Sequence, residues 1–311
     1  EVGVIVEFVL YINMLTFPVS AIGWVASMIQ RAAASQKRLN EFLQLQPTIE
    51  NPETAAAAPS PQGEIVFENV TFIYPHTGIT AIRHFNLRIA PGQKVAVIGK
   101  TGSGKSTIAN LLLRFYDVNE GRVLLDGEEV KHYDLAELRR RISYVPQDVF
   151  LFSDTVAANI RFGHDFAPDE AVQQVASQAA VANEIALFGQ QYFTMVGERG
   201  VTLSGGQKQR LSIARALLKP APVIIFDDCL SAVDSKTEKE ILQHLNESLI
   251  NKTAIIITHR IFSLLEFDQI ILLEDGEILE QGTHQSLMHL NGEYAELYRQ
   301  QQMDMAGVEP Q

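Results

Sequence analysis

Along the first part of the chain apolar positions show no alternation at all. From Phe8 to Ile29, FVLYINMLTFPVSAIGWVASMI, no residue is charged. Such a run matches the roughly 20 apolar residues a helix needs to cross a bilayer. Pro18 is expected to kink it, which membrane helices tolerate when neighbours re-satisfy the backbone. Arg31, Lys37 and Arg38 follow at once and place the carboxyl end on the cytoplasmic side by the positive-inside bias. A buried core helix is the competing reading; the length of the run and Trp24 near one end favour the membrane. In SQKRLNEFLQL, apolar residues at Leu39, Phe42 and Leu43 keep helical spacing, and Pro47 should end that helix. Residues 47–63, PTIENPETAAAAPSPQG, read as an exposed linker. The expected division is therefore 1–46 as membrane helix with its cytoplasmic extension, 47–63 as linker, and 64–311 as a globular domain.

From Glu64 the pattern changes to short apolar runs between helical stretches. EIVFENVTF, HFNLRIA, QKVAVIG, RVLLD, ISYVP, PVIIF, AIIIT and QIILLED read as strands. KSTIANLLLRF and SKTEKEILQHL read as helices, the second with Ser235 and Glu238 at capping-box spacing. This alternation predicts an α/β domain with a largely parallel core sheet. Residues 155–217 lack strong strand signals and read as a helical insertion.

Composition narrows the classes. A net charge of −12 opposes a nucleic-acid surface, which needs a basic stripe to displace counterions. The single cysteine, Cys229, admits no internal disulfide and fits a reducing compartment. It reads as a small residue buried after a core strand rather than as a reactive thiol. The chain opens at Glu1 without Met or a signal-peptide pattern and reads as a piece of something longer. No zinc-ligand spacing occurs.

The candidate chemistry begins at GKTGSGKST, Gly99 to Thr107, between the QKVAVIG strand and a helix. Spacing and context together give the G-x-x-x-x-G-K-[ST] phosphate loop. Its glycines let backbone N–H groups point inward at an anion, and the helix start adds positive potential. Thr101, Gly102, Ser103 and Gly104 complete the cradle. Lys105 would reach the β- and γ-phosphates, and Ser106 would bind magnesium. In VIIFDD, Asp227 ends a buried strand where such sites hold magnesium, at the sheet edge where open α/β folds gather ligands. LSGGQ, Leu203 to Gln207, places Ser204, Gly205 and Gly206 at another helix start, a second anion-binding terminus. Two such termini in one chain suggest a composite site.

With these motifs the sequence resembles the ATP-binding cassette exporters, specifically half-transporters of the bacterial multidrug and lipid type, whose cassette follows the last membrane helix. The resemblance rests on GKTGSGKST, LSGGQ, VIIFDD, SAVD (231–234) and ITHR (257–260), in the family's order, and covers essentially the whole chain. It implies a P-loop cassette fold with a mixed core sheet, an antiparallel β subdomain and a helical subdomain at about 155–217. It implies ATP and Mg2+ as ligands and ATP hydrolysis coupled to export. Tyr74 matches the aromatic that stacks on adenine. Gln147 matches the glutamine that contacts magnesium and water and relays to the membrane domain. Asp234 matches the aspartate that crosses the dimer interface, and His259 the histidine on the γ-phosphate. TMVGERG, Thr194 to Gly200, is similar to the segment that touches the intracellular loops. The implied partner is a second half-transporter whose LSGGQ closes over this chain's P-loop, within a cell inner membrane and with the cassette on its cytoplasmic side.

The chain departs from the family at Asp228, where a glutamate usually follows the magnesium aspartate. The carboxylate is set back by one methylene, about 1.5 Å, and a misplacement of roughly 1 Å can cost on the order of 10²-fold in rate. The reading is a site that binds Mg-ATP well and hydrolyses it slowly, in a pairing where a heterodimer is favoured and a slow homodimer stays open. A mainly regulatory ATP-binding subunit is the alternative. A soluble cassette of DNA repair or translation is a third class, opposed by the 8–29 run, TMVGERG and the acidic balance. The transported substrate is not encoded in this stretch.

Overall fold

The computed structural model describes residues 2–56, 59–259 and 267–305. The chain divides into two compact units, Glu1–Glu50 and Asn51–Gln311. Each is described by itself.

The first unit holds one helix, α1 (Val2–Leu43), of 42 residues. At 1.5 Å per residue it is roughly 60 Å long, about twice the hydrocarbon thickness of a bilayer. Its most apolar stretch has a mean hydropathy of 1.9. The helix continues through Pro18, which has no N–H to offer the preceding turn. It runs on past the apolar stretch and stops ahead of Pro47.

The second unit is built on two sheets. In the larger, β3 (Lys94–Ile98), β6 (Ile142–Val145), β7 (Val223–Asp227), β8 (Thr253–Ile257), β9 (Gln269–Glu274) and β10 (Glu277–Gly282) lie in the order β10-β9-β3-β8-β7-β6. Every pairing is parallel except that of β10 with β9. All five residues of β7 and of β8 are buried, as expected of strands covered on both faces. The smaller sheet, wholly antiparallel, orders β1 (Ile65–Ile73), β2 (Thr80–Ile89), β4 (Glu120–Leu125) and β5 (Glu128–Glu129) as β2-β1-β4-β5. One apolar core joins the two sheets through α2 (Lys105–Leu112). A second lies under α4 (Val156–Arg161), α5 (Asp169–Gln178), α6 (Ala182–Leu187), α7 (Gly205–Leu218) and α8 (Ser235–Ser248). Between β5 and β6 lies the short α3 (Leu135–Arg140); α9 (His284–Leu290) and α10 (Glu293–Met305) close the chain, packing Leu287 and Tyr294 behind β3 and β9. The mixed sheet, the antiparallel sheet and the helical region make this an α/β cassette fold.

Three details differ from the sequence expectations. β10 was not anticipated: EILEQG alternates exposed and half-buried positions at a sheet edge, so no apolar run announces it. The cap of α8 is Asp234 rather than Ser235, its carboxylate accepting from the N–H groups of Lys236 and Thr237. Asp and Ser are comparable caps, and the loop before α8 decides between them. The residues after Glu50 are also tied to the second unit: Leu135 N–H donates to Asn51 Oδ1, Ala56 N–H to the carbonyl of His132, and Gly63 N–H to Asp126 Oδ1.

Candidate functional site

The loop between β3 and α2 forms the floor of the site. Gly99 and Gly104 are required by close approach. A Cβ on Gly99 would lie 2.2 Å from the carbonyl oxygen of Leu273, and one on Gly104 would lie 2.3 Å from that of Ala81. Gly104 stands at the start of α2 with φ of 100°, and no side chain caps the helix there. The helix therefore presents its positive end to the loop without an internal anion. Lys105 Nζ donates to the carbonyls of Gly99 and Lys100, each at 2.7 Å, so its ammonium lies across the loop. Burial lowers its affinity for the proton, and Asp228 and Asp227 work in the opposite direction.

The strand β7 delivers two consecutive carboxylates and sends them to different partners. Asp227 is buried and accepts from Ser106 Oγ at 2.9 Å and from the Tyr144 hydroxyl at 3.1 Å. Burial pushes this carboxyl above its ordinary range, while both hydroxyls act to lower it. Tyr144 was not singled out in the sequence. Its place follows from register, for Tyr144 pairs with Ile225 on β7, so it shares a face with residue 227. The signal available was a tyrosine inside a short apolar strand ahead of Gln147. Asp228 takes a positive φ of 46°. Its N–H donates to the carbonyl of Ile257, and its carboxylate meets His259 Nδ1 at 2.9 Å. Arg260, last of the ITHR stretch, lies outside the described residues.

A cavity of about 370 Å³ gathers these groups. Its lining includes Tyr74, Gly99, Thr101, Gly102, Gly104, Lys105, Ser106, Thr107, Gln147, Asp227, Asp228 and His259. Tyr74 stands edge-on to Phe72 and Tyr116, with its hydroxyl 3.0 Å from Thr107 Oγ1. Ser103 is buried beneath the loop. The remaining expected residues are elsewhere: Leu203, Ser204, Gly205, Gly206, Gln207 and Asp234 do not line this cavity. Ser204 and Gln207 instead cap α7 reciprocally, Leu203 packs against the second core, and Asp234 caps α8. Cys229 is buried with its thiol held protonated by burial, the inert packing role expected of it. In TMVGERG, Met195 bridges to Thr155, Val196 is buried, and Glu198–Gly200 forms a single 3-10 turn.

A family model described as ABC transporter matches residues 82–231, from β2 to just past the paired aspartates. The chain belongs to the ABC transporter family. Over 301 residues this chain is 42% identical to a probable multidrug resistance ABC transporter ATP-binding/permease protein of Bacillus subtilis, across 97% of this chain and 51% of the relative. Over 285 residues it is 40% identical to an ATP-dependent lipid A-core flippase of Escherichia coli, across 91% and 49%. A solved structure of a bacterial Atm1-family ABC exporter with ATP bound matches at a TM-score of 0.82 and 37% identity, across 94% of this chain and 51% of that one. The chain thus spans about half the length of the relatives it matches. The cassette belongs to a family of ATPases, and its relatives are membrane exporters.

Proposed function

We propose that this chain is the ATP-binding and ATP-hydrolysing cassette, with one membrane helix, of a half-size exporter. The observation that carries the reading is the convergence on one cavity of Lys105, Ser106, Gln147, Asp227, Asp228 and His259, drawn from four separated stretches of sequence. The donor set suits a nucleotide with magnesium. Ser106 Oγ and an Asp227 oxygen are adjacent hard ligands, and magnesium prefers one or two such oxygens beside phosphates and water. The uncapped start of α2 and the Lys105 ammonium suit the phosphates themselves. Magnesium, when bound, supplies neutralisation of phosphate charge and orientation of the phosphate oxygens.

In this reading Lys105 leaves the loop carbonyls for the β- and γ-phosphates, and Tyr74 offers its ring to the base. Gln147 and Asp227 hold the metal side. Asp228 takes the proton of the attacking water, and His259 fixes the Asp228 carboxylate and faces the γ-phosphate. The signature residues Leu203 to Gln207, with Asp234, serve a second cassette, because they lie outside their own chain's cavity. That fits a dimer with two composite sites, a heterodimer being favoured by Asp228. Export would follow from closure and reopening of the pair, a shift between discrete states driven by nucleotide. The cassette faces the cytoplasm, and the transported substrate is set by the membrane helices.

The short reach of Asp228 also favours a second reading, a regulatory subunit whose bound ATP holds the dimer closed with little turnover. Single-turnover hydrolysis separates the two. The primary test is Lys105→Ala. ATP affinity is expected to fall by two orders of magnitude or more, measured by titration with a fluorescent ATP analogue. Unchanged affinity would overturn the assignment of the cavity.

A further inference from the structure

Gln209 lies one turn into α7, two residues after the LSGGQ stretch, and is buried although polar. Its side chain leaves the helix for the loop that follows β7. Gln209 Nε2 donates to Ser231 Oγ at 3.3 Å, and Ala232 N–H donates to Gln209 Oε1 at 3.1 Å. Ser231 Oγ in turn donates to the main-chain carbonyl of Asp228 at 2.9 Å. A continuous set of hydrogen bonds therefore joins the signature helix to the backbone of the residue in the water-facing slot. The same loop touches the signature turn directly: a Cβ on Gly206 would lie 3.1 Å from the carbonyl oxygen of Ala232.

The need for such a clamp follows from the Asp228 backbone. Its φ of 46° is a sparsely populated conformation that persists only where neighbours over-determine it. The Asp228 carboxylate meets His259, while that of Asp227 meets Ser106 and Tyr144. Neither Gln209 nor Ser231 lines the nucleotide cavity, so neither touches substrate.

We propose that Gln209 is a positioning residue that, through Ser231 and Ala232, sets the Asp228 carboxylate and the signature turn of the same chain as one unit. This rests on Asp228 occupying the water-facing slot.

The substitution Gln209→Glu isolates the relay. A carboxylate still accepts from Ala232 N–H and keeps the volume, but it no longer donates to Ser231. The Ser231 hydroxyl has one proton and must then choose between that carboxylate and the Asp228 carbonyl. Ser231→Ala removes the same relay from its other end, and Ser231→Thr restores a hydroxyl. The experiment uses the full-length membrane-embedded transporter, with any second hydrolytic site disabled at its own P-loop lysine. Single-turnover hydrolysis, Mg-ATP affinity and hydrogen exchange at the Ala232 amide are measured together, with Asp228→Asn alongside. Gln209→Glu and Ser231→Ala should each slow hydrolysis by about tenfold with affinity unchanged, since a displacement of well under 1 Å is involved. The double variant should be no slower than either single one, Ser231→Thr should recover the rate, and Ala232 should stay protected in Gln209→Glu. If Asp228→Asn stops hydrolysis while Gln209→Glu and Ser231→Ala keep the original rate, the positioning role is overturned and the Asp228 reading stands. If Asp228→Asn itself keeps the original rate, both are overturned. Should Gln209→Glu not fold, the partly exposed Ser231 carries the same comparison through its Ala and Thr variants.

Discussion

Two glycine-rich helix starts, those of α2 and α7, have nearly the same vocabulary in sequence and opposite states in the structure. At α2 no side chain caps the helix, the glycines are pressed against backbone carbonyls, and a lysine is folded over the loop. At α7 Ser204 and Gln207 cap each other's backbone N–H groups, and Ser204 and Gly205 are exposed. The first start is assembled within the chain, facing a cavity lined by the chain's own residues. The second lies outside that cavity, capped and exposed. A glycine-rich helix start thus states a capacity for anions, while the cap states whose anion it is. Four substitutions break or sharpen this contrast.

The largest effect is expected at Gly104→Ala. The methyl group would meet the Ala81 carbonyl at a distance no contact allows, at a φ that side chains rarely adopt. Backbone strain of this kind is worth about 1–3 kcal/mol before any shift of β2 is counted. Thermal unfolding should shift downward by several degrees, and nucleotide titration should show binding lost together with stability. Next comes Asp228→Glu, which restores the missing methylene. General-base catalysis contributes typically 10²–10⁴-fold, so a gain of about tenfold in hydrolysis is expected. The affinity for Mg-ATP should stay as it was. Turnover has to be counted at this site alone, in the assembled dimer. No gain would show that the reach of the Asp228 carboxylate does not limit hydrolysis at this site.

How much of this was legible follows the same division. GKTGSGKST states its own fold, because an apolar strand, a glycine run and a helix opening leave few other geometries. Asp227 was legible from the apolar VIIF before it. The separate fates of Asp227 and Asp228 were not, since their partners, Ser106 and Tyr144 for one and His259 for the other, come from distant stretches of the chain. Tyr144 was hidden because its partner comes from the β6–β7 register, which the sequence does not print. Gln209 looked like one more polar residue on a helix, and only the loop packed against it gives it a role. Asp234 and Ser235 offered equivalent caps side by side, so tertiary placement chose. Local pattern fixed the elements, and pairings between distant stretches fixed the chemistry.

A smaller effect separates binding from folding at the first site. Burial raises the Asp227 carboxyl above its ordinary range. A raised folded-state value means that the protonated acid contributes most stability below the ordinary carboxylate range. That contribution is lost as pH rises through the raised value. At neutral pH the ionised, ligand-free Asp227 is therefore a net liability for folding. Asp227→Asn should raise the unfolding temperature of the nucleotide-free protein by a few degrees while magnesium-dependent ATP binding is lost. Repeating the melt at pH values approaching the acid range should shrink the difference, since the wild-type carboxyl then carries its proton. An unfolding temperature that falls at neutral pH would mean the two hydroxyl contacts outweigh burial.

The smallest effect on the molecule itself is expected at Gly205→Ala, the counterpart of Gly104→Ala. A methyl group here meets only the Ala232 side chain at 3.6 Å, an ordinary contact, and Gly205 does not have positive φ. Alanine is the better helix former by up to about 1 kcal/mol, so the melt should be unchanged or slightly raised. ATP affinity at this chain's own cavity should also be unchanged, because Gly205 does not line it. What should change is the other cassette: a methyl group on an exposed signature turn stands where the partner's phosphates would approach the backbone. Nucleotide-driven dimer closure, followed by cross-linking across the two cassettes, should weaken in the assembled transporter while the chain alone behaves normally. If instead Gly205→Ala lowers the chain's own nucleotide affinity, then α7 contributes to its own site, and the contrast between the two helix starts fails.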